Sequence, residues 1–376
     1  MSPMKYIAIH LPQYHPIPEN DAWWGKGFTE WTNVVKAKPL FRSHYQPQLP
    51  SDLGFYDLRL SETRAAQAEI ARQHGVDGFC YYHYWFHGRR LLERPVNEIL
   101  ASGKPNFPFC LFWANETWEG RWHGVSAEKK TLVKQEYSEQ DDLDHIRWLA
   151  HAMADGRYIR IEGRPIFLIY RPFDLPDCRK TLDVWRKEAL RLGLPNPYFI
   201  ASDSHADLNN PLLLGFDAIL QFLPQLSVLD CFEKMDWRHR FKRSMENLKQ
   251  GILSNQLHVY DYENSVREML RRTNWPVHRS IIPAWDNSPR SGKRGVILTG
   301  STPDKFEKLL RELSIQTMQE HPPERHVLFL NAWNEWAEGN HLEPDMKHGT
   351  RYLEAVKKVK QEVVLAATAV IPSEVK

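Results

Sequence analysis

The chain has 376 residues, 49 basic against 47 acidic side chains, a formal net charge of +2 and four cysteines. That length is long for one ordinary domain but common for an undivided α/β barrel, whose core needs no disulfide staples. The balanced charge provides no global field for nucleic acid, and no run approaches the ~18 apolar residues of a membrane span. Cys80, Cys110, Cys178 and Cys231 show no paired spacing and no CxxC, so an oxidising compartment is not indicated. The N-terminal residues run at once into a short apolar stretch, too short for a signal-peptide core. A soluble, cytoplasmic chain is expected.

In chain order, eight short apolar runs read as strands: residues 6–10, 78–82, 109–113, 166–170, 198–201, 218–222, 280–283 and 327–331. Several are continuous rather than alternating, as parallel strands buried on both faces should be. Amphipathic helical stretches fall between them, at 60–74, 140–154, 183–192, 262–272 and 303–321, with a last one at 350–367. Ser61 is a candidate cap, and Pro303-Asp304 a candidate helix start. Eightfold strand–helix alternation without a phosphate-binding glycine loop predicts a single α/β (β/α)8 TIM barrel, residues 1–367, with long βα loops and a frayed tail, 368–376. The aromatic- and proline-rich segment 21–53 is expected to be an ordered lid or wall, and 223–256 a second insertion. Within the latter, the basic stretch 238–243 reads as a solvated helix, so no nucleic-acid partner is expected.

Barrel enzymes keep their chemistry at the C-terminal ends of the strands, and there the polar residues collect. Run one ends on His10, Gln13 and Tyr14; run two on His83, Tyr84, Trp85 and His87; run three on Trp113, Asn115 and Glu116. Run four ends on Tyr170 and Arg171, run five on Asp203 and His205, and run six on Gln221. Run seven ends on Trp285, Asp286 and Asn287, and run eight on Asn331, Asn334, Glu335, Trp336 and Glu338. The 14 tryptophans cluster near these residues and in the segment holding Glu30 and Trp31. Ring-shaped ligands with apolar faces and polar edges suit such surroundings, and sugars are such ligands. A pocket for a glycan or small polyol follows.

Within it, Glu335 and Glu338 stand three apart on a tight loop, followed by Gly339, His341 and Glu343. Glycoside chemistry needs one carboxyl as acid and one as base, with unequal pKa values. Crowding beside indole rings would raise one of them. Glu116 and Glu30 are competing candidates. His83 and His87 have a metal-like spacing without a third ligand, so no metal and no cofactor is expected. Asp142 and Asp144 form a DxD pair of the kind some nucleotide-sugar transferases use, but they fall at a predicted helix start, where acids are favoured.

These segments resemble the WbsX-type family of polysaccharide-biosynthesis glycosyltransferases, itself related to glycoside hydrolase family 99. The resemblance rests on residues 11–20 (LPQYHPIPEN), 24–33 (WGKGFTEWTN), 78–86 (GFCYYHYWF), 109–116 (FCLFWANE) and 334–339 (NEWAEG). It implies a (β/α)8 barrel and a glycan substrate. In family 99, retaining endo-α-mannosidases use two glutamates of an Asn-Glu-Trp-x-Glu-Gly motif. That motif implies Glu335 as base on the sugar's own 2-hydroxyl and Glu338 as acid on the leaving group. Here Ala337 separates Trp336 from Glu338, and the first three strands carry the WbsX pattern. The reading is thus a retaining glycosidase or transglycosidase acting on a bacterial polysaccharide or its precursor. The alternatives are a glycosyltransferase of O-antigen or capsule assembly and a non-catalytic glycan-binding protein.

Overall fold

A computed structural model describes residues 4–120, 131–204, 209–229, 257–271 and 275–369. Trp122, His205, Cys231, the basic stretch 238–243 and the tail past 369 lie outside the described residues.

Eight parallel strands form the barrel: β1 (Lys5–His10), β2 (Gly78–Phe86), β3 (Phe109–Trp113), β4 (Arg164–Ile169), β5 (Tyr198–Asp203), β6 (Ala218–Gln221), β7 (His278–Ile281) and β8 (Val327–Leu330). Each pairs with its sequence neighbours, and β8 closes back on β1 with Val327 opposite Lys5. All eight expected runs are therefore strands. The longer helices are α1 (Ser61–Gln73), α2 (Arg94–Ser102), α3 (Glu139–Met153), α4 (Cys178–Arg191), α5 (Tyr262–Arg271), α6 (Pro303–Glu320) and α7 (Arg351–Ala369), beside short ones at Pro18–Trp24, Trp31–Lys36 and Ser288–Ser291. None of the described helices is long and apolar enough to cross a membrane.

Local chemistry explains where these elements start. Ser138 caps α3 by accepting from the Asp141 backbone N–H at 3.1 Å. Asp142 therefore sits in the first turn, as the sequence suggested, and accepts from the Thr181 hydroxyl of α4 at 2.9 Å. One cap assignment differs from expectation. Ser61 is the first residue of α1 and turns its hydroxyl to Glu62, 3.0 Å away, instead of capping. Helix α6 starts at Pro303, as expected, and Thr302 caps it, accepting from the Lys305 N–H at 3.3 Å. Helix α2 is not among the stretches expected from the sequence, and it contains Pro95. Pro95 lies in the first turn, where a proline's missing N–H costs nothing. From β5 to β6 the described connection carries only a 3-10 turn, Pro211–Leu214.

Strand parity decides which side chains reach the interior. In β2, Tyr82 stacks on Phe112 of β3 with centroids 5.3 Å apart, and both face inward. His83 and Trp85 point the other way and stack on Trp148 and His145 of α3. Gly78 starts β2 because a Cβ there would lie 2.7 Å from Ile159 and 2.8 Å from the Pro108 carbonyl oxygen. Any side chain would push β2 from its neighbour and shift the tyrosines further along.

Candidate active site

Segment 334–341 folds as a miniature hairpin at the end of β8. Asn334 pairs with His341 and Glu335 with Asn340, and a 3-10 turn (Trp336–Glu338) joins them. Residues three apart eclipse in a 3-10 turn, which places Glu335 and Glu338 on one side. Gly339 then turns the chain with φ +56°, under a Cβ position 2.7 Å from Gln48 Nε2 and 2.9 Å from Asp286 Cβ. Only glycine fits that turn and that space.

The hairpin is held from behind. The Asn334 amide accepts from the Leu11 N–H at 2.7 Å and donates to the Leu11 carbonyl at 3.0 Å. Tyr14 donates its hydroxyl proton to the Asn334 carbonyl. Buried Glu343 accepts from Trp336 Nε1 and Gln67 Nε2 at 2.7 Å and from the Tyr56 hydroxyl at 2.8 Å. Even so, burial raises the Glu343 carboxyl to about 7.

Facing the two glutamates is Arg290, on the short helix Ser288–Ser291 after β7. Its Nε donates to Glu30 at 2.8 Å, Nη1 to Glu338 at 2.7 Å and Nη2 to Glu335 at 3.1 Å. One guanidinium thus serves three carboxylates, all little exposed to solvent (0% for Glu30, 6% for Glu335, 16% for Glu338). Burial and mutual repulsion favour protons on such a cluster, and a single cation offsets only part of that. Accordingly, burial pushes Glu335 up to about 8, with Arg290 opposing and Glu338 and Glu30 reinforcing. Glu338 is also raised, again chiefly by burial. Near neutral pH the couple retains a proton.

These groups line a cavity of about 340 Å³ at the C-terminal mouth of the barrel. Of the residues nominated from sequence, Gln13, Glu30, Tyr84, Glu116, Tyr170, Trp285, Asn287 and Asn331 join Glu335 and Glu338 in its wall. Glu116 is ion-paired with Arg171 (2.6 Å), yet burial still raises its pKa. The segment 21–53 does form a wall, contributing Trp24 and Glu30.

The other nominees do not line this cavity. His10 bonds Gln67 of α1 at 3.3 Å. His83 bonds His145 at 3.0 Å. Asn115 and Arg171 tie two loops together, the Asn115 amide accepting from Arg171 N–H at 2.7 Å. The Asp203 carbonyl accepts from Gln225, and Gln221 donates to the Met269 carbonyl of α5, both at 2.8 Å. Asp286 accepts from Gln46 at 2.6 Å and from the Ser288 N–H at 3.0 Å, which anchors the helix bearing Arg290. Tyr14 and Asn334 support the hairpin, as described.

Several of the described tryptophans are core, with their indole N–H groups bonded internally. Trp31 donates to Tyr56, Trp85 to Asp141 and Trp336 to Glu343, and Trp113 donates to the Trp85 carbonyl. Among the described tryptophans, Trp24, Trp118 and Trp285 reach the cavity. Sequence reading passed over Arg290 and Tyr82. Parity with Tyr84 would have found Tyr82, whereas Arg290 had only the need of buried carboxylates for a cation to announce it.

A sequence model of the family described as glycosyltransferase WbsX matches residues 6–356. The chain belongs to the WbsX family. A WbsX relative, the uncharacterized protein WxcX of Xanthomonas campestris pv. campestris (strain B100), is 38% identical over 94% of this chain. The match covers 49% of that protein, so the chain spans about half the length of the curated relatives it matches. Among solved structures, a glycoside hydrolase-like protein aligns over 96% of this chain and 94% of its own, with TM-score 0.57 and 14% identity. The GH99 endo-alpha-mannosidase from Bacteroides thetaiotaomicron aligns over 96% and 98%, with TM-score 0.55 and 14% identity. At that identity the likeness is one of fold.

Proposed function

We propose that this WbsX chain is a carbohydrate-active enzyme that cleaves or transfers a glycosidic linkage of a bacterial polysaccharide or its oligosaccharide precursor, with retention. Glu335 and Glu338 are its acid/base pair. The observation that carries this reading is the pair's shared contact with Arg290 inside a cavity walled by tyrosine and tryptophan. Two carboxyls that keep a proton near neutral pH can donate to a leaving oxygen and accept from a hydroxyl in one cycle. Following the family 99 pattern, Glu335 is the base toward the sugar's 2-hydroxyl and Glu338 the acid toward the leaving group. Tyr84, Tyr170, Trp285, Gln13 and Glu116, which line the cavity, would contact the sugar. A non-catalytic glycan binder would have no use for three buried carboxylates on one cation.

A second reading, transfer from an activated sugar donor, is favoured by the family's description. A screen of aryl glycosides against nucleotide-sugar donors separates the two. Release of the aryl group without a nucleotide donor supports the proposal. Turnover only with the nucleotide donor overturns it.

A further inference from the structure

A second cavity of about 200 Å³ lies on the reverse side of the catalytic hairpin, and the glycosidase reading gives it no task. The two cavities share Trp285 as a common wall, and Gly339, the residue after Glu338, borders the second one. Its lining includes Tyr45, a residue 42% exposed, with the Lys347 ammonium 4.9 Å from its ring centroid. His348 lines the wall, edge-on to Tyr352 with centroids 5.3 Å apart. Deeper in, His44 stacks on Phe41 at 4.7 Å. His44 Nδ1 accepts from the Leu40 N–H at 3.0 Å, so Nε2 carries the proton and donates to Asp286 at 2.7 Å.

We propose that this cavity is a second sugar-binding site, holding a unit of the glycan remote from the bond that reacts. Aromatic faces in its lining, with hydroxyl, imidazole and ammonium groups at the edges, match the apolar faces and polar rims of a pyranose. Trp285, in the wall that the two cavities share, carries an unsatisfied donor. It is 7% exposed, and its indole N–H has no acceptor among the described residues. Such a donor costs free energy until an acceptor reaches it. The site also touches what positions the chemistry. Asp286, gripped by His44 and Gln46, accepts from the Ser288 N–H at the start of the helix that carries Arg290. A sugar seated here fixes the glycan chain against the same loops that hold Glu335 and Glu338. The inference rests on the glycan-active reading above, but its test does not depend on turnover.

The test is NMR of the whole chain labelled at histidine rings and tryptophan indoles. It is titrated with glucose, galactose, mannose, rhamnose and N-acetylglucosamine, and separately with inorganic phosphate. His44 and His348 report the second cavity, while Trp24 and Trp118 report the first. The expected result is a saturable shift of His44 and His348 with at least one sugar. That shift should weaken about tenfold in Tyr45→Ala and vanish in Ser43→Trp, which fills the cavity, while the Trp24 and Trp118 responses persist. Shifts at Trp24 and Trp118 alone overturn the second site and leave the proposed function standing. Saturation by phosphate but by no sugar, or no shift at His44 and His348 at all, also overturns it. Shifts at both cavities without turnover of any glycoside would uphold the site and count against the proposed reaction.

Discussion

Arg290 Nε lies 2.8 Å from Oε1 of Glu30, a residue 260 positions earlier in the chain. The contact joins the wall segment after β1 to the short helix after β7, and it fixes the face of the guanidinium that meets Glu335 and Glu338. Removing the cation leaves three buried carboxylates facing one another. Arg290→Met is expected to cost roughly 3–5 kcal/mol, the usual result of breaking a buried charge network from one side. The loss should be larger at pH 8 than at pH 5, because low pH protonates the carboxylates that need the cation. Urea unfolding at the two pH values measures this.

Activity should fall as pH rises through about 8. Burial raises Glu335 from its ordinary 4.5 to about 8 and raises Glu338 as well, so the proton retained near neutral pH belongs to the pair. Activity is lost at higher pH because Glu338, the proposed acid, can no longer hold it. Glu30 contributes to the elevation of both Glu335 and Glu338. Glu30→Gln removes a neighbouring negative charge, and the alkaline limb of kcat/KM should move to lower pH. A limb that stays in place would show that Glu30 has no part in the proton inventory.

Gly339→Ala is expected to lower both stability and kcat. The added Cβ meets Gln48 and Asp286 inside 3 Å at φ +56°. Strain of that kind costs about 1–3 kcal/mol, and it bears on the residue next to Glu338. Thermal melting and steady-state kinetics should move together. A stable, fully active variant would mean that the hairpin has slack.

Much of this was legible in the sequence, for physical reasons. Barrel strands buried on both faces are continuous apolar runs, so all eight were found. The paired glutamates announced themselves because two acids beside tryptophans have little place on an ordinary surface. Side-chain direction was harder to read. Tyr82, His83, Tyr84 and Trp85 form one polar-aromatic run, yet alternation sends Tyr82 and Tyr84 to the cavity and His83 and Trp85 to α3. Trp31, Trp113 and Trp336 looked like sugar platforms. They are core because each finds an acceptor for its N–H nearby. Arg290 had no local signature, since its partners come from segments far apart in the chain.

Stability should also fall on acidification, through buried histidines. His278, the first residue of β7, has its ring 5.4 Å from that of His321 at the end of α6, and burial lowers its pKa from 6.5 to about 3. The unfolded chain therefore binds the proton first. The stability that neutral His278 contributes is full above 6.5 and is lost as pH falls from there toward 3. His278→Leu should remove up to one proton from the linkage, about 1.4 kcal/mol per pH unit at the steepest. Comparing urea midpoints of the variant and the wild type at pH 4, 5, 6 and 7 checks it. Parallel curves would sink the idea.

The central claim is that Glu335 and Glu338 carry the chemistry with distinct roles, and leaving-group dependence tests it most directly. The two variants Glu335→Gln and Glu338→Gln are assayed on aryl glycosides with poor and with good leaving groups. Each should lose roughly 10²–10⁴-fold on the poor one, the usual worth of general acid–base catalysis. Glu338→Gln should recover most activity on the good leaving group, which needs no proton, while Glu335→Gln should not. Recovery by Glu335→Gln instead would reverse the roles. Full activity in both variants on both substrates would contradict the account.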